Sequence, residues 1–272
     1  MIFYQISFGA YCKERLDETI ELIAEYLAAL VQNGQIDRNY DIVPWQGQVV
    51  AYVNALGLKA KHRQFHSVWG RERLKDVRKF FGHPPNWTFN EDFPPKKLAT
   101  WNDAAFLYLF THLFDNESSL CLGNDGTPFP YFRLPVTDEE KHEIYCWTVK
   151  YREFDSIWIG SGELEMSAYR LLADPNSSLS AEGRECCATI EKATGIPTYY
   201  YLKRYYGRKS AEEKKRRCPG CGKPWFVEYP ESNRPFWEFD FMCKKCRLVS
   251  NLAYDDVNSR YAKIGEPRKE KK

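Results

Sequence analysis

Two short stretches near the C-terminus determine how this part of the chain folds: CPGCGKPW at 218–225 and CKKC at 243–246. Each contains a C-x-x-C pair, a turn in which two thiolate sulfurs can face one ion. Gly220 and Gly222 free the backbone of the first turn. The spacing predicts one structural zinc ion with no open coordination position for catalysis. Its predicted ligands are Cys218, Cys221, Cys243 and Cys246.

The segment between the two cysteine pairs is typical of a β-hairpin. PWFVEY and FWEFDFM have strand composition, and the polar ESNRP between them predicts a turn. We expect Trp225, Val227, Phe236 and Phe239 to cover the metal-bound turns. A module of this size is too small for a core of its own, so the metal would stabilise it. The alternative, two thioredoxin-like redox pairs, lacks a surrounding βαβ pattern.

The rest of the chain predicts an α+β fold with a small mixed sheet, helices and a helical middle segment. Apolar residues recur at helical spacing from Leu16 to Leu30, with an Asn33–Gly34 stop. The predicted strands are 2–11, 47–56 and 198–207, and the predicted helices are 72–82, 138–157, 163–172 and 179–194; 103–114 fits either a strand or a helix. We expect an α/β domain at 1–135, a helical segment at 136–197, and an aromatic strand plus zinc ribbon at 198–272.

Charge is distributed unevenly along the sequence. Residues 203–272 contain 19 Lys and Arg against 10 Asp and Glu, so residues 1–202 carry a net charge of −7 in a chain of +2. This asymmetry predicts a C-terminal module that favours phosphates and an N-terminal part that suits a basic partner.

The connector before the cysteines is the candidate nucleic-acid contact. Cations beside aromatic residues are what single-stranded nucleic acid needs. The candidates are Lys203, Arg204, Arg208, Lys214, Lys215, Arg216 and Arg217. A solvated linker with core aromatics explains the same pattern equally well, and the pI near 8 is below that of strong nucleic-acid binders.

No motif indicates an enzyme. His62 and His66 lack the glutamate of a metalloprotease helix, and we expect surface histidines there. Adjacent Cys186 and Cys187 favour helix packing over metal binding. No apolar run is long enough to cross a bilayer, and no signal peptide is recognisable. We therefore expect a cytoplasmic protein, where paired cysteines favour metal over disulfides.

Residues 197–255 resemble bacterial zinc-ribbon proteins of unknown function that carry a nucleic-acid-binding label. The residues concerned are PTYYYLKRYYG, CPGCGKPW and FDFMCKKCRLVSNLAYD, and the helix SLSAEGRECCATIEKATG also fits. Some family members look like immunity proteins beside antibacterial toxin genes, which implies a stoichiometric inhibitor here.

Two functions follow as hypotheses. The first is a non-enzymatic immunity protein that neutralises a cognate toxin by covering its active site; the acidic body suits a toxin that is itself basic. The second is a nucleic-acid-binding accessory protein that uses the ribbon and the stretch 203–217 on DNA or RNA. The sequence does not indicate which residues would form a toxin interface.

Overall fold

The computed structural model describes residues 1–89, 101, 104–115, 117–228 and 239–267, and these fold as the predicted α+β structure. Among them, no helix combines the length and the apolar composition needed to cross a bilayer. The chain forms two compact units. Unit 1 is Met1–Ala99, Asn116–Ser118 and Phe129–Tyr145, and unit 2 is Thr100–Asp115, Ser119–Pro128 and Cys146–Lys272.

Unit 1 is built on an antiparallel sheet with two helices. Its elements in chain order are β1 (Ile2–Ala10), α1 (Leu16–Gln32), β2 (Ile36–Trp45), β3 (Gln48–Ala55), α2 (Val68–Phe81) and β4 (Asn86–Phe89). Among the described residues the sheet has four strands in the order β2-β3-β1-β4, with antiparallel pairing throughout. This β-α-β-β-α-β order is the ferredoxin-like arrangement.

The core of unit 1 lies on one face of this sheet. Alternate β1 residues, among them Tyr4 and Ile6, are buried, and residues Ile23, Leu27 and Leu30 of α1 belong to the same cluster. The predicted stop of α1 is confirmed, because Asn33 caps the helix and Gly34 takes a left-handed φ of 70°. The sequence analysis does not predict strand β2, because polar residues at 37–39 and 41 interrupt its apolar residues Ile36, Tyr40 and Ile42, which contribute to the core.

Unit 2 contains the helices predicted in the middle of the chain. They are α3 (Asp138–Gly160), which begins in unit 1, α4 (Glu165–Ala173), α5 (Ser178–Thr194) and the short α6 (Ser210–Glu213). The strands are β5 (Leu107–Leu109), β6 (Leu120–Leu122), β7 (Thr198–Tyr201), β8 (Phe241–Cys243) and β9 (Leu248–Ser250). The described part of the sheet has the order β6-β5-β7-β9-β8, with β7 parallel to both of its neighbours.

The division into units differs from the domains predicted at 1–135, 136–197 and 198–272. The segment after residue 128 returns to unit 1, where Phe132 joins the core and the Tyr131 ring lies over Gly34. Strands β5 and β6, which fall in the predicted 1–135 domain, lie in one sheet with β7, β9 and β8 of the predicted 198–272 domain. Pairing across the sheet, which single-sequence composition does not reveal, sets these boundaries.

A buried histidine lies in the core of unit 1, where a surface histidine was expected. The ring of His66 is within hydrogen-bond distance of Tyr26 Oη (3.1 Å to Nε2) and of Gln35 Nε2 (3.1 Å to Nδ1). Gln35 also donates to the carbonyl oxygen of Ala60, and Asn33 donates to the Gln35 side chain. Burial lowers the pKa of His66 to about 4, so the folded protein holds the ring neutral.

We expect this histidine to make unit 1 sensitive to acid. Between pH 6.5 and pH 4 this histidine is protonated in the unfolded chain but stays neutral in the folded protein. The unfolding free energy therefore decreases as the pH falls from 6.5 to 4. Between pH 7 and pH 4 the wild type should lose about 3 kcal/mol more unfolding free energy than His66→Gln. Denaturant unfolding at several pH values measures the difference. Exposed His62→Gln is the control and should match the wild type; equal slopes for His66→Gln and the wild type would contradict the assignment.

Candidate metal centre

The four predicted zinc ligands come together at one point. Each offers one sulfur, and the four Sγ atoms all lie within 4.8 Å of one another. The distance from Cys221 Sγ to Cys243 Sγ is 3.6 Å. A tetrahedron of sulfurs at the usual zinc distance has edges of about 3.8 Å, so the thiols are placed for one zinc ion.

Local backbone bonds shape the first cysteine turn. The Cys218 N–H donates to the carbonyl oxygen of Lys223 (2.9 Å), and the Gly222 N–H donates to that of Cys218 (2.8 Å). A Cβ on Gly220 would lie 2.9 Å from Cys246 Sγ, so a side chain there would crowd the second turn. Gly220 therefore permits the close approach of the two turns, whereas Gly222 supplies a left-handed φ of 69°.

In the second cysteine turn, a backbone N–H donates a hydrogen bond to a ligand sulfur. The Cys246 N–H donates to Cys243 Sγ (3.4 Å), which is an interaction that stabilises a thiolate. Arg247, directly after the last ligand, takes a left-handed φ of 51° although it is not glycine. This unusual conformation turns the chain from the metal site into β9.

The pKa differs among the thiols of Cys218, Cys221 and Cys246. Hydrogen bonding, chiefly with the Lys223 backbone, lowers the pKa of Cys221 to about 7. Burial raises the pKa of Cys218, and that of Cys246 to about 11. A bound divalent cation supplies the positive charge that holds buried thiols as thiolates. The donor set thus fits zinc, and four protein ligands leave no position for a substrate.

Two of the aromatic side chains that the sequence predicts over the metal-bound turns are buried in unit 2. Trp225 and Phe239 are buried, and Phe241 packs beside Trp225 with ring centroids 5.1 Å apart. Phe236, also expected here, lies outside the described residues. The hairpin pairing is present where described, since the Val227 N–H donates to Asp240 O and the Met242 N–H to Trp225 O.

The metal centre is attached to the sheet of unit 2. The Tyr200 N–H donates to the carbonyl oxygen of Arg247 (2.9 Å), and the Leu202 N–H to that of Val249 (2.9 Å). The Arg247 guanidinium also makes a two-pronged ion pair with Glu191 on α5, at 2.9 and 2.7 Å. This guanidinium lowers the pKa of Glu191. The turn that carries Cys246 is therefore fixed to both β7 and α5.

Two of the seven residues predicted to contact nucleic acid are buried, which corrects their assignment. Arg204 donates to both carboxylate oxygens of Glu213 (2.7 and 3.1 Å) and to the carbonyl oxygens of Ala262 and Ile264. The Arg216 guanidinium lies against the rings of both Trp225 and Phe241, 4.7 and 4.3 Å from their centroids. A buried guanidinium needs internal partners, so neither side chain belongs to the exposed cationic surface that the sequence predicted.

Two further cations of the predicted set are engaged with carboxylates. Lys203 pairs with buried Asp155 and lies 4.0 Å from the centroid of the Trp158 ring. Arg208 pairs with Glu266, which raises the pKa of its guanidinium. Lys214, Lys215 and Arg217 are exposed, and Lys214 lies over the Phe226 ring. Some cations of the connector are therefore part of the folded structure, and others are exposed to solvent.

Three exposed lysines outside the predicted contact set lie on the cysteine turns. Lys223 is two residues from Cys221, and Lys244 and Lys245 separate Cys243 from Cys246. The signal was present in CKKC, where both central residues are lysine. Elsewhere, Cys186 and Cys187 are both buried on α5, in agreement with a packing role.

Two family models match adjacent segments of the chain. A domain of unknown function, DUF2310, matches residues 102–203, and a second, DUF8594, matches residues 207–256. Two uncharacterized proteins of Haemophilus influenzae are each 33% identical over 166 residues, which is 61% of this chain. The match covers 80% of one and 62%, less than two thirds, of the other. No solved structure matches the chain.

We expect one zinc ion per chain, held by these cysteines. Cys221→Ser should abolish stoichiometric zinc and lower the melting temperature, because structural zinc contributes directly to folding. Cys12→Ser, which changes an exposed cysteine outside the site, should retain one zinc. Elemental analysis and thermal unfolding measure both effects. Chelation of the wild type should lower its melting temperature and added zinc should restore it; an unchanged melting temperature without metal would contradict a structural ion.

Proposed function

We propose that this chain, which belongs to the same family as its uncharacterized Haemophilus influenzae relatives, is a non-enzymatic zinc-ribbon protein that binds DNA or RNA through the cations around its metal end. Of the contact set predicted from sequence, the proposal keeps Arg217, and it adds the exposed lysines on the cysteine turns. Reducing conditions keep thiols free for zinc, so we place this activity in the cytoplasm.

The convergence of the four sulfurs is the observation that carries the proposal. The Sγ atoms lie within 4.8 Å of one another, so the two cysteine turns meet at one end of the ribbon. The cations next to the cysteines in sequence therefore lie at that end. These residues, which we call the knuckle rim, are Arg217, Lys223, Lys244 and Lys245, all exposed. Neither Arg217 nor the three lysines have the internal role of Arg204 or Arg216.

The charge of the knuckle rim exceeds what the metal site itself requires. A zinc ion with four thiolates has a net charge of about −2, whereas the four rim cations carry +4. The surplus attracts a polyanion such as a nucleic-acid backbone. Lysine and arginine contacts to phosphates fix position without reading sequence, so we expect weak sequence preference.

Lys244→Gln with Lys245→Gln should weaken nucleic-acid binding by removing half of the knuckle rim. For a single-stranded oligonucleotide, each lost phosphate contact should reduce the salt slope by about 0.7, or about 1.4 for the pair. Fluorescence anisotropy over a range of salt concentrations gives the slope. Lys75→Gln with Lys79→Gln on α2 is a matched control, because it removes the same charge from exposed positions in unit 1. An identical slope for the rim variant and the wild type would contradict the proposal.

A second candidate, the immunity protein, is favoured by the charge distribution. Residues 101–202 hold 16 Asp and Glu against 7 Lys and Arg, whereas residues 1–100 hold 11 against 13. The acidic excess therefore belongs to the middle of the chain. Exposed carboxylates in unit 2 include Glu153, Glu163 and Glu185, which suit a basic protein partner such as a toxin that acts on nucleic acid.

Native purification with and without nuclease separates the two candidates. An immunity protein should retain one basic protein at equal stoichiometry after nuclease treatment, and expression of that partner alone should harm sensitive cells that this chain then protects. Retained material that disappears with nuclease, or equal survival with and without this chain, would contradict the immunity role. Charge reversal by Glu153→Lys with Glu185→Lys should weaken a protein complex held by this acidic surface.

A further inference from the structure

A pocket of about 420 Å³ lies beside the connector, between α6 and the chain near residue 266. Its described lining consists mostly of charged side chains. These are Arg208, Glu212, Lys215, Arg216, Arg217 and Glu266, with Pro267 beside them. The charged groups in this lining amount to four cations and two carboxylates. The pocket therefore has a formal charge of +2 before any ligand enters.

A buried group with an unsatisfied hydrogen-bond donor lines this pocket. The Arg216 side chain is 1% exposed, and its Nη2 donates to Ser250 Oγ (3.0 Å) and to the Asn251 carbonyl oxygen (3.2 Å). Its Nη1 has no hydrogen-bond partner among the residues that the structure describes. Buried guanidinium N–H groups are costly to leave unpaired, so an acceptor brought by a ligand would stabilise this arrangement.

The ion pairs behind the pocket leave positive charge uncompensated. One carboxylate, Glu213, faces two buried guanidiniums, with Nε of Arg204 at 2.7 Å and Nε of Arg216 at 3.1 Å. Glu266 serves both Arg208 and, at 3.6 Å, Arg204. In this described cluster three arginines thus share two glutamates. An additional anion would neutralise the remaining charge.

The exposed side of the pocket carries two cations that can contact such an anion. Lys215 and Arg217 are exposed and lie on either side of Arg216 in sequence. A terminal phosphate monoester carries a charge of about −1.5 to −2 at pH 7 and three acceptor oxygens, whereas each backbone phosphate carries −1. The pocket charge of +2 matches the monoester better than the diester.

We infer that this pocket binds a phosphate monoester, and that in the proposed function it holds the terminal phosphate of a nucleic-acid strand. The inference rests on the proposed function for the source of the phosphate. Arg217 belongs to both the pocket and the knuckle rim, so a strand that crosses the rim reaches the pocket at its end. A free nucleotide offers the same chemical group as an alternative source.

Binding of two oligonucleotides that differ only at the 5′ end tests the inference. The 5′-phosphorylated strand should bind the wild type about tenfold more tightly than the 5′-hydroxyl strand, which is the contribution of one charge-assisted hydrogen bond. Lys215→Gln should remove this preference. Lys209→Gln is the matched control, because Lys209 is exposed next to α6 and does not line the pocket, and it should keep the preference.

The outcomes separate the pocket from the knuckle rim. Equal affinity of the two strands for the wild type would overturn the pocket while leaving nucleic-acid binding by the rim intact. If neither strand binds, adenosine monophosphate and inorganic phosphate are tested by ³¹P line broadening. Broadening that Lys215→Gln abolishes would support the pocket with a free-nucleotide source and overturn the proposed function. No broadening by either compound would overturn both.

Discussion

The convergence of four sulfurs on one point is the constraint on which the C-terminal half depends. Two thiols lie on the turn before the hairpin and two on the turn between β8 and β9. Meeting this constraint brings together residues 25 positions apart and positions β9 to pair with β7. Arg247 directly follows this turn and donates a hydrogen bond to Glu191, so it links the metal turn to α5. A zinc ion would therefore stabilise a whole sheet rather than an isolated ribbon.

The same constraint explains why the basic connector is partly internal. Arg216 precedes the first ligand by two residues, and its side chain is buried against the rings of Trp225 and Phe241. Its charge is tolerated there because α6 brings Glu213 within 3.1 Å. Arg204, after β7, uses the same carboxylate. Breaking a buried pair of this kind leaves an uncompensated charge, which costs about 3–5 kcal/mol, so these residues are bound to the fold.

Local signals in the sequence predicted the metal ligands and most helices. C-x-x-C spacing constrains its own geometry, and the stop signal at Asn33–Gly34 acts within one turn. Strand β2 could not be predicted because it lies at the edge of the sheet, where three consecutive polar residues separate the buried Ile36 from Tyr40 and Ile42. The burial of Arg204, Arg216 and His66 could not be predicted for a different reason. Whether a charged or polar side chain is buried depends on partners distant in sequence, such as Glu213 for Arg204 and Tyr26 for His66.

The two matched segments of unknown function cannot be interpreted separately. DUF2310 ends at residue 203 and DUF8594 begins at residue 207, yet β7 in the first pairs with β9 in the second. Across this boundary Arg204 bonds to Glu213, and Glu191 bonds to Arg247. A ribbon cut away from the preceding segment would lose the partner strand of β9 and would expose buried charge. The binding surface that we propose at the metal end therefore needs the sheet of unit 2 as its support, even though three of its cations come from the cysteine turns and the fourth, Arg217, directly precedes the first of them.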